Sequence, residues 1–175
     1  WTGPLWVIWA GLLFGGMILA GFEHLDGPHF LKATHLASSI VLVLASWLWL
    51  AGANYPPLTA PLLLLAIGMT LGLLGDVSNA EIFIKNPPAG EGLPLATIGG
   101  IVTFGLGHIA YISAAILTAR LAGLTQPAIW AGSVLFWQIV GVAGWWWVFQ
   151  PIRPLEIIHW AALGYSLLLS GTAGV

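Results

Sequence analysis

The sequence predicts an all-α protein: a polytopic transmembrane helix bundle of about six spans, folded as a single domain over 1–175. Three observations predict it. The chain is 59% hydrophobic and only 6% charged, where a soluble domain would carry about 25% charged residues. Long apolar runs recur from end to end, so backbone polar groups must be satisfied within helices or in a closed barrel. The runs are continuous rather than short and alternating, which selects helices.

The spans follow in order. Pro4–Phe22 is about one membrane thickness long and lacks a basic leader, so it reads as a helix rather than a signal peptide, although the sequence starts at Trp1. His35–Gly52 is the second span, closed by the tight turn Asn54-Tyr55-Pro56-Pro57. Leu58–Asn79 is the third. A polar stretch, Asn86-Pro87-Pro88-Ala89-Gly90-Glu91-Gly92, separates it from the fourth, Thr97–Ala119. Pro127–Phe149 and Leu155–Ala173 complete the set on either side of Gln150-Pro151-Ile152-Arg153-Pro154.

Charge sets the expected orientation. Lys32, Lys85 and Arg153 fall in or beside the odd-numbered loops and only Arg120 in an even one, so those odd loops are expected in the cytoplasm. Glu23, Asp26, Asp76, Glu81, Glu91 and Glu156 lie toward the same side, where the mouth of any cavity should open. The expected location is integral and multi-pass, in a bacterial cytoplasmic (inner) membrane. A formal net charge of −2 leaves nucleic acid no basic surface to bind, and without cysteine there are neither disulfides nor thiolates. Membrane lipid is the expected partner.

Asp76 and His108 stand out because an ionisable group at bilayer depth costs about 2.5–3.5 kcal/mol and usually faces a bundle interior or a wet cavity. From the 1.5 Å helical rise, Asp76 lies roughly 5–10 Å below the odd-loop end of its helix and His108 about 16 Å into the next. These helices are antiparallel neighbours, so the two side chains are expected to converge. Phe104, His108 and Tyr111 share one stripe. Gly68, Gly72 and Gly75 form a smooth face on the third helix, and Gly11 and Gly15 one on the first, where backbones can approach closely. Trp6, Trp47, Trp49 and Trp145-Trp146-Trp147 suit an aromatic belt or a lipid-facing surface.

Other polar groups have plainer readings. Glu156 and His159 have the spacing of half a carboxylate-bridged metal site but no second such pair, so no metal is expected there. Glu156 complements the helix amino terminus and His159 faces a neighbouring helix. The segment Glu23-His24-Leu25-Asp26-Gly27-Pro28-His29 reads as a solvated interfacial loop before a cation site. An Asp76–His108 contact could equally lock two helices, with Tyr111 a satisfied core phenol.

Leu71-Gly72-Leu73-Leu74-Gly75-Asp76-Val77, followed by Phe104-Gly105-Leu106-Gly107-His108-Ile109-Ala110-Tyr111-Ile112, resembles the Gly-Asp and Phe…His-x-x-Tyr signature of the YhhN family, lysoplasmalogenase-like integral membrane proteins. Lys32-Ala33-Thr34 resembles the start of that family's second helix and Ala162-Leu163-Gly164-Tyr165-Ser166-Leu167 its sixth. Three features depart from the pattern. Gly72 stands where the family usually has Ser, the 84–99 stretch is longer, and Val175 falls before the last two of the family's eight helices, which carry a second Asp-bearing motif.

The resemblance implies a hydrolase that cleaves the vinyl-ether bond of a lysoplasmalogen, giving a fatty aldehyde and a glycerophospho-alcohol. Such a bond yields to protonation of its β-carbon followed by addition of water, which calls for a carboxylic acid and a base. Asp76 is the expected acid, His108 the group that activates or positions water, and Tyr111 a hydrogen-bond donor. Lys32 would hold the substrate phosphate and Phe104 would floor the site. No cofactor is expected. The alternative is a non-catalytic subunit of a larger membrane complex, touching protein, lipid or pigment partners, with His35, His108 or His159 available to a chlorin metal.

Overall fold

The computed structural model describes residues 3–20, 27–88, 91–124, 126–152 and 155–175. Glu23, His24 and Asp26 of the candidate cation loop, and Arg153, lie outside the described residues. The described chain forms six helices, α1 (Gly3–Ala20), α2 (Gly27–Ala51), α3 (Thr59–Asn79), α4 (Leu95–Leu121), α5 (Pro127–Phe149) and α6 (Ile157–Gly174), with one 3₁₀ turn at Pro56–Leu58 leading into α3. Among the described residues four are long and apolar enough to cross a membrane: 32–51 within α2, Pro56–Asn79, Leu95–Leu121 and Pro127–Phe149. The protein is an all-helical integral membrane protein.

Eleven of the twelve helix ends fall within about two residues of those read from hydropathy, and α5 coincides with its span. The exception is α2, which starts at Gly27 rather than His35. Pro28 stands in its first turn, where the missing N–H costs nothing, and the helix runs on through the polar interfacial residues that hydropathy set aside. Lys32 therefore sits on a helix, one turn before His35, rather than in a loop.

The helices form a row. α1 packs on α2, α2 on α3, α3 on α4, α4 on α6 and α6 on α5, with α3 and α4 in the most extensive contact. Their seam has a regular register. A Cβ added to Gly75 would come 2.7 Å from the Phe104 ring, one on Gly68 would strike the Tyr111 ring, and one on Gly100 would strike Asn79. Gly107 lies against the backbone of Gly68 and Gly72, its Cβ position 3.1 Å from the Gly68 carbonyl oxygen and 3.7 Å from the Gly72 nitrogen, and Gly72 is its partner in register. The residue numbers in each of these four pairs add to the same value, the mark of an antiparallel register. The spacings of four, three and four along α3 are those of a heptad seam. In every layer glycine faces a ring, an amide or another glycine, so the smooth face of α3 is filled mainly by the aromatics of α4.

The first helix departs from expectation. Among the described residues nothing lies within 4 Å of a Cβ built on Gly11 or Gly15, and the close approach to α2 is made by Gly16, against Thr34. Glycine spacing gave the kind of contact but not the face. The loop after α3 begins with Glu81 at φ 58 and is held by Asn86. The Asn86 amide donates to Glu81 Oε1 and Thr97 Oγ1, each at 2.9 Å, and its carbonyl accepts the Ala96 N–H at 3.0 Å.

The aromatic belt is not uniform. Trp146 and Trp147 are exposed, as a lipid-facing surface requires, but Trp145 is buried and its indole N–H donates to the His159 carbonyl at 2.7 Å. Its tryptophan neighbours in sequence point elsewhere because successive helical positions differ by about 100°.

Candidate functional site

A cavity of about 430 Å³ opens among α1, α2, α3, α4 and α6. On α3 its wall is Met69, Gly72, Leu73 and Asp76, a stripe with helical spacing. On α4 it is Phe104, Gly107, His108 and Tyr111. Asp76, His108, Tyr111 and Phe104 thus face one space, as their spacing predicted.

Asp76 and His108 are nevertheless held by different partners. The Asp76 carboxyl, 11% exposed, is bound on Oδ1 by His35 Nε2 at 3.0 Å and on Oδ2 by the Ser39 hydroxyl. His35 and Ser39 are four residues apart and so share one face of α2, turned toward α3. Because α2 starts early, His35 lies within the helix, two turns below its start. The His35 ring is 53% exposed, so it links the shielded carboxyl to the polar mouth.

His108 is fixed from α6. Its Nδ1 lies 2.8 Å from Thr172 Oγ1, and the Thr172 hydroxyl donates to the Leu168 carbonyl at 3.0 Å. With its hydrogen engaged there, that oxygen accepts from His108 Nδ1–H. In the neutral ring Nε2 is then the acceptor. Tyr165, also on α6, lies edge-on to His108 with ring centroids 5.5 Å apart and 6.1 Å from Phe104. The Tyr111 hydroxyl donates to Met69 Sδ at 3.3 Å.

Toward the odd-loop side a second cavity, about 300 Å³, is lined by Lys32, His35, Leu36, Asp76, Asn79 and Ala80. His35 and Asp76 line both cavities. Lys32 is thereby at the mouth, within the compartment adjoining the carboxyl, and not in the inner cavity.

Sequence reasoning missed His35 and Ser39 as partners of Asp76, Thr172 as partner of His108, and Tyr165 as a wall. The His35/Ser39 spacing was a readable signal. Which face of α2 meets Asp76, and which residues α6 brings to α4, depend on packing between distant segments.

A further cavity of about 310 Å³, at the even-loop ends of α4, α5 and α6, holds Gln126, Trp130 and Ser133 among its lining but no ionisable side chain. Among the described residues no group of three or more His, Asp or Glu is gathered as a metal site would require. His159 Nδ1 accepts the Glu156 N–H at 2.8 Å and the ring packs on Phe149 of α5, with centroids 5.0 Å apart. The pair therefore caps and docks α6. His35, His108 and His159 each engage one ring nitrogen within the fold.

The YhhN family model matches residues 32–175. The chain belongs to the YhhN family. In this YhhN protein the matched residues include every polar side chain of both site cavities, whereas the wall contributed by Trp9 and Leu13 of α1 lies outside the match. The chain matches no curated protein and no solved structure.

Proposed function

We propose that this protein is a membrane-embedded hydrolase of the lysoplasmalogenase kind, cleaving the vinyl-ether bond of a single-chain lysophospholipid in a cytoplasmic membrane. The observation that carries the reading is a shielded Asp76 carboxyl, oriented by His35 and Ser39, lining the same cavity as His108, whose Nδ1 is held by Thr172. Family membership supports a membrane hydrolase of this general kind.

Asp76 delivers a proton to the β-carbon of the vinyl ether, and the double-bond electrons form the new C–H bond. The adjoining carbon becomes oxocarbenium-like. Water hydrogen-bonded to His108 Nε2 adds there and gives its proton to the imidazole. The hemiacetal then collapses: its hydroxyl proton passes to water, the carbonyl forms, and the C–O bond to the glycerol breaks as the His108 imidazolium gives its proton to the departing oxygen. A fatty aldehyde and a glycerophospho-alcohol result. His35, touching both cavities, is a positioning residue that also returns a proton from the mouth to Asp76. Tyr111 donates a hydrogen bond within the cavity, Phe104 packs the wall, and Lys32 holds the phosphate as a point charge.

Purified protein in lipid nanodiscs, supplied with a lysoplasmalogen and followed by a coupled aldehyde assay, tests this. Aldehyde should form from the vinyl ether and not from the saturated ether analogue. Asp76→Asn should lower the rate by about 10²–10⁴-fold. Absence of aldehyde from the wild type, or an Asp76→Asn protein that folds and retains full turnover, overturns the proposal.

A further inference from the structure

A third cavity, about 510 Å³ and lined almost wholly by carbon, continues from the inner end of the site. From Leu58 at the end of the 3₁₀ turn it follows Leu62 and Leu65 along α3, and on α4 the stripe Ala115 and Thr118, with Thr172 of α6 beside it. Met69 and Tyr111 line both this groove and the site cavity. Their hydrogen bond, 3.3 Å between the phenol oxygen and Sδ, stands at the division between the two. A thioether on a flexible stem is a partition that can swing aside.

Three compartments therefore lie in series along α3. At the odd-loop end is the Lys32 mouth, in the middle the Asp76 and His108 cavity, and beyond Met69 the apolar groove. From Met69 to Leu58 the helix rises about 16 Å. A ~30 Å hydrocarbon layer allots about half its thickness to each leaflet's chains, so the groove has the length of one lipid tail. A cation, a reactive centre and an apolar trough in that order match a single-chain amphiphile whose charged group stays near the membrane surface.

We infer that the groove between α3 and α4 is the binding site for the aliphatic chain of the substrate, and that its length and width set the chain preference of the enzyme. The inference rests on the proposed function for its substrate class, but the groove's occupancy can be read without turnover.

The probe is a saturated single-chain ether lysophospholipid carrying a photoreactive diazirine at the end of the chain. It cannot undergo vinyl-ether cleavage. Irradiated with the wild-type protein in nanodiscs, it should label the Leu58–Leu65 and Ala115–Thr118 stretches, and the label should be displaced by excess unmodified lysolipid. Labelling confined to exposed bilayer-facing positions such as Val140 and Trp147, or labelling that competitor does not displace, marks an ordinary lipid annulus and overturns the inference.

Leu62→Phe and Ala115→Phe add bulk to the groove and should each lower the ratio of long-chain to short-chain labelling by about tenfold. Leu63→Phe, on the exposed face of α3, should leave the ratio unchanged. Displaceable groove labelling in a protein that releases no aldehyde sustains the tail site while refuting the catalytic reading. Aldehyde release with a chain preference untouched by both groove variants, alongside labelling elsewhere, does the reverse.

Discussion

Replacing Gly75 by alanine tests the seam on which the site is built. The added methyl would stand 2.7, 2.8 and 2.9 Å from three carbons of the Phe104 ring. Carbon atoms sit comfortably at about 3.5–4.0 Å, so the ring must retreat by roughly 1 Å, toward Tyr165 or into the cavity it lines. Overpacking of this kind costs about 1–3 kcal/mol. Alanine returns at most about 1 kcal/mol of helix propensity, less where lipid already enforces the helix. The expected net loss is about 1–2 kcal/mol, measured by unfolding the purified protein in mixed micelles with rising detergent denaturant and following helical circular dichroism. In a Phe104→Leu background the clash is absent, so Gly75→Ala should there be neutral or slightly stabilising. The coupling between the two sites should approach the full 1–2 kcal/mol, a size expected only of residues in contact. If Gly75→Ala costs the same in both backgrounds, Phe104 does not rest on Gly75, and the register of α3 against α4 is wrong.

The same measurement should separate the glycines of α1: Gly11→Ala and Gly15→Ala leave stability within about 0.5 kcal/mol, as surface changes do, whereas Gly16→Val, driven into Thr34, costs about 1–3 kcal/mol. Equal effects at Gly15 and Gly16 would remove the assigned α1–α2 face. Thr172→Val deletes the acceptor for His108 Nδ1–H and should lower aldehyde release by about tenfold, the kinetic equivalent of one hydrogen bond, while Thr172→Ser retains activity. Nitrogen NMR of the labelled imidazole should show the Nδ1–H tautomer lost in Thr172→Val and kept in Thr172→Ser; an unchanged tautomer in both would mean that Thr172 does not orient the ring.

Much of the fold was legible because membrane insertion leaves little freedom: an apolar run of about 20 residues must be a helix, and α5 could be bounded at both ends from composition alone. The early start of α2 was not, since Gly27 to Lys32 is an interfacial turn whose polarity looks like a loop. The α3–α4 seam was half legible. Gly68 and Gly75 are seven apart, and so are Phe104 and Tyr111, so two antiparallel helices can pair both rings with both glycines at once. The glycines were instead read only as a smooth backbone surface. The site itself was legible as residue types and depths. The assignment of partners was not, because His35, Asp76 and Thr172 belong to segments whose relative rotation no local pattern records.

That rotation explains why Asp76 and His108 share a cavity without sharing a hydrogen bond. The seam uses Gly68, Gly72, Gly75 and Asn79 of α3 and Gly100, Phe104, Gly107 and Tyr111 of α4, so residues 76 and 108 stand one position beyond seam glycines on their helices. A step of one residue turns a side chain by about 100°, enough to take it off the seam and onto the flank that borders the cavity. From there Asp76 meets α2, which packs on α3, and His108 meets α6, which packs on α4. Each reactive group is thus oriented by an outer helix while its own helix is locked by ring-into-glycine packing. A substrate entering the cavity would lie between a carboxyl fixed from one side and an imidazole fixed from the other. Had the two been bonded directly, the acceptor nitrogen of His108 would have been spent on the carboxyl rather than on water. Held apart, the carboxyl and the His108 acceptor can act on different atoms of one bond.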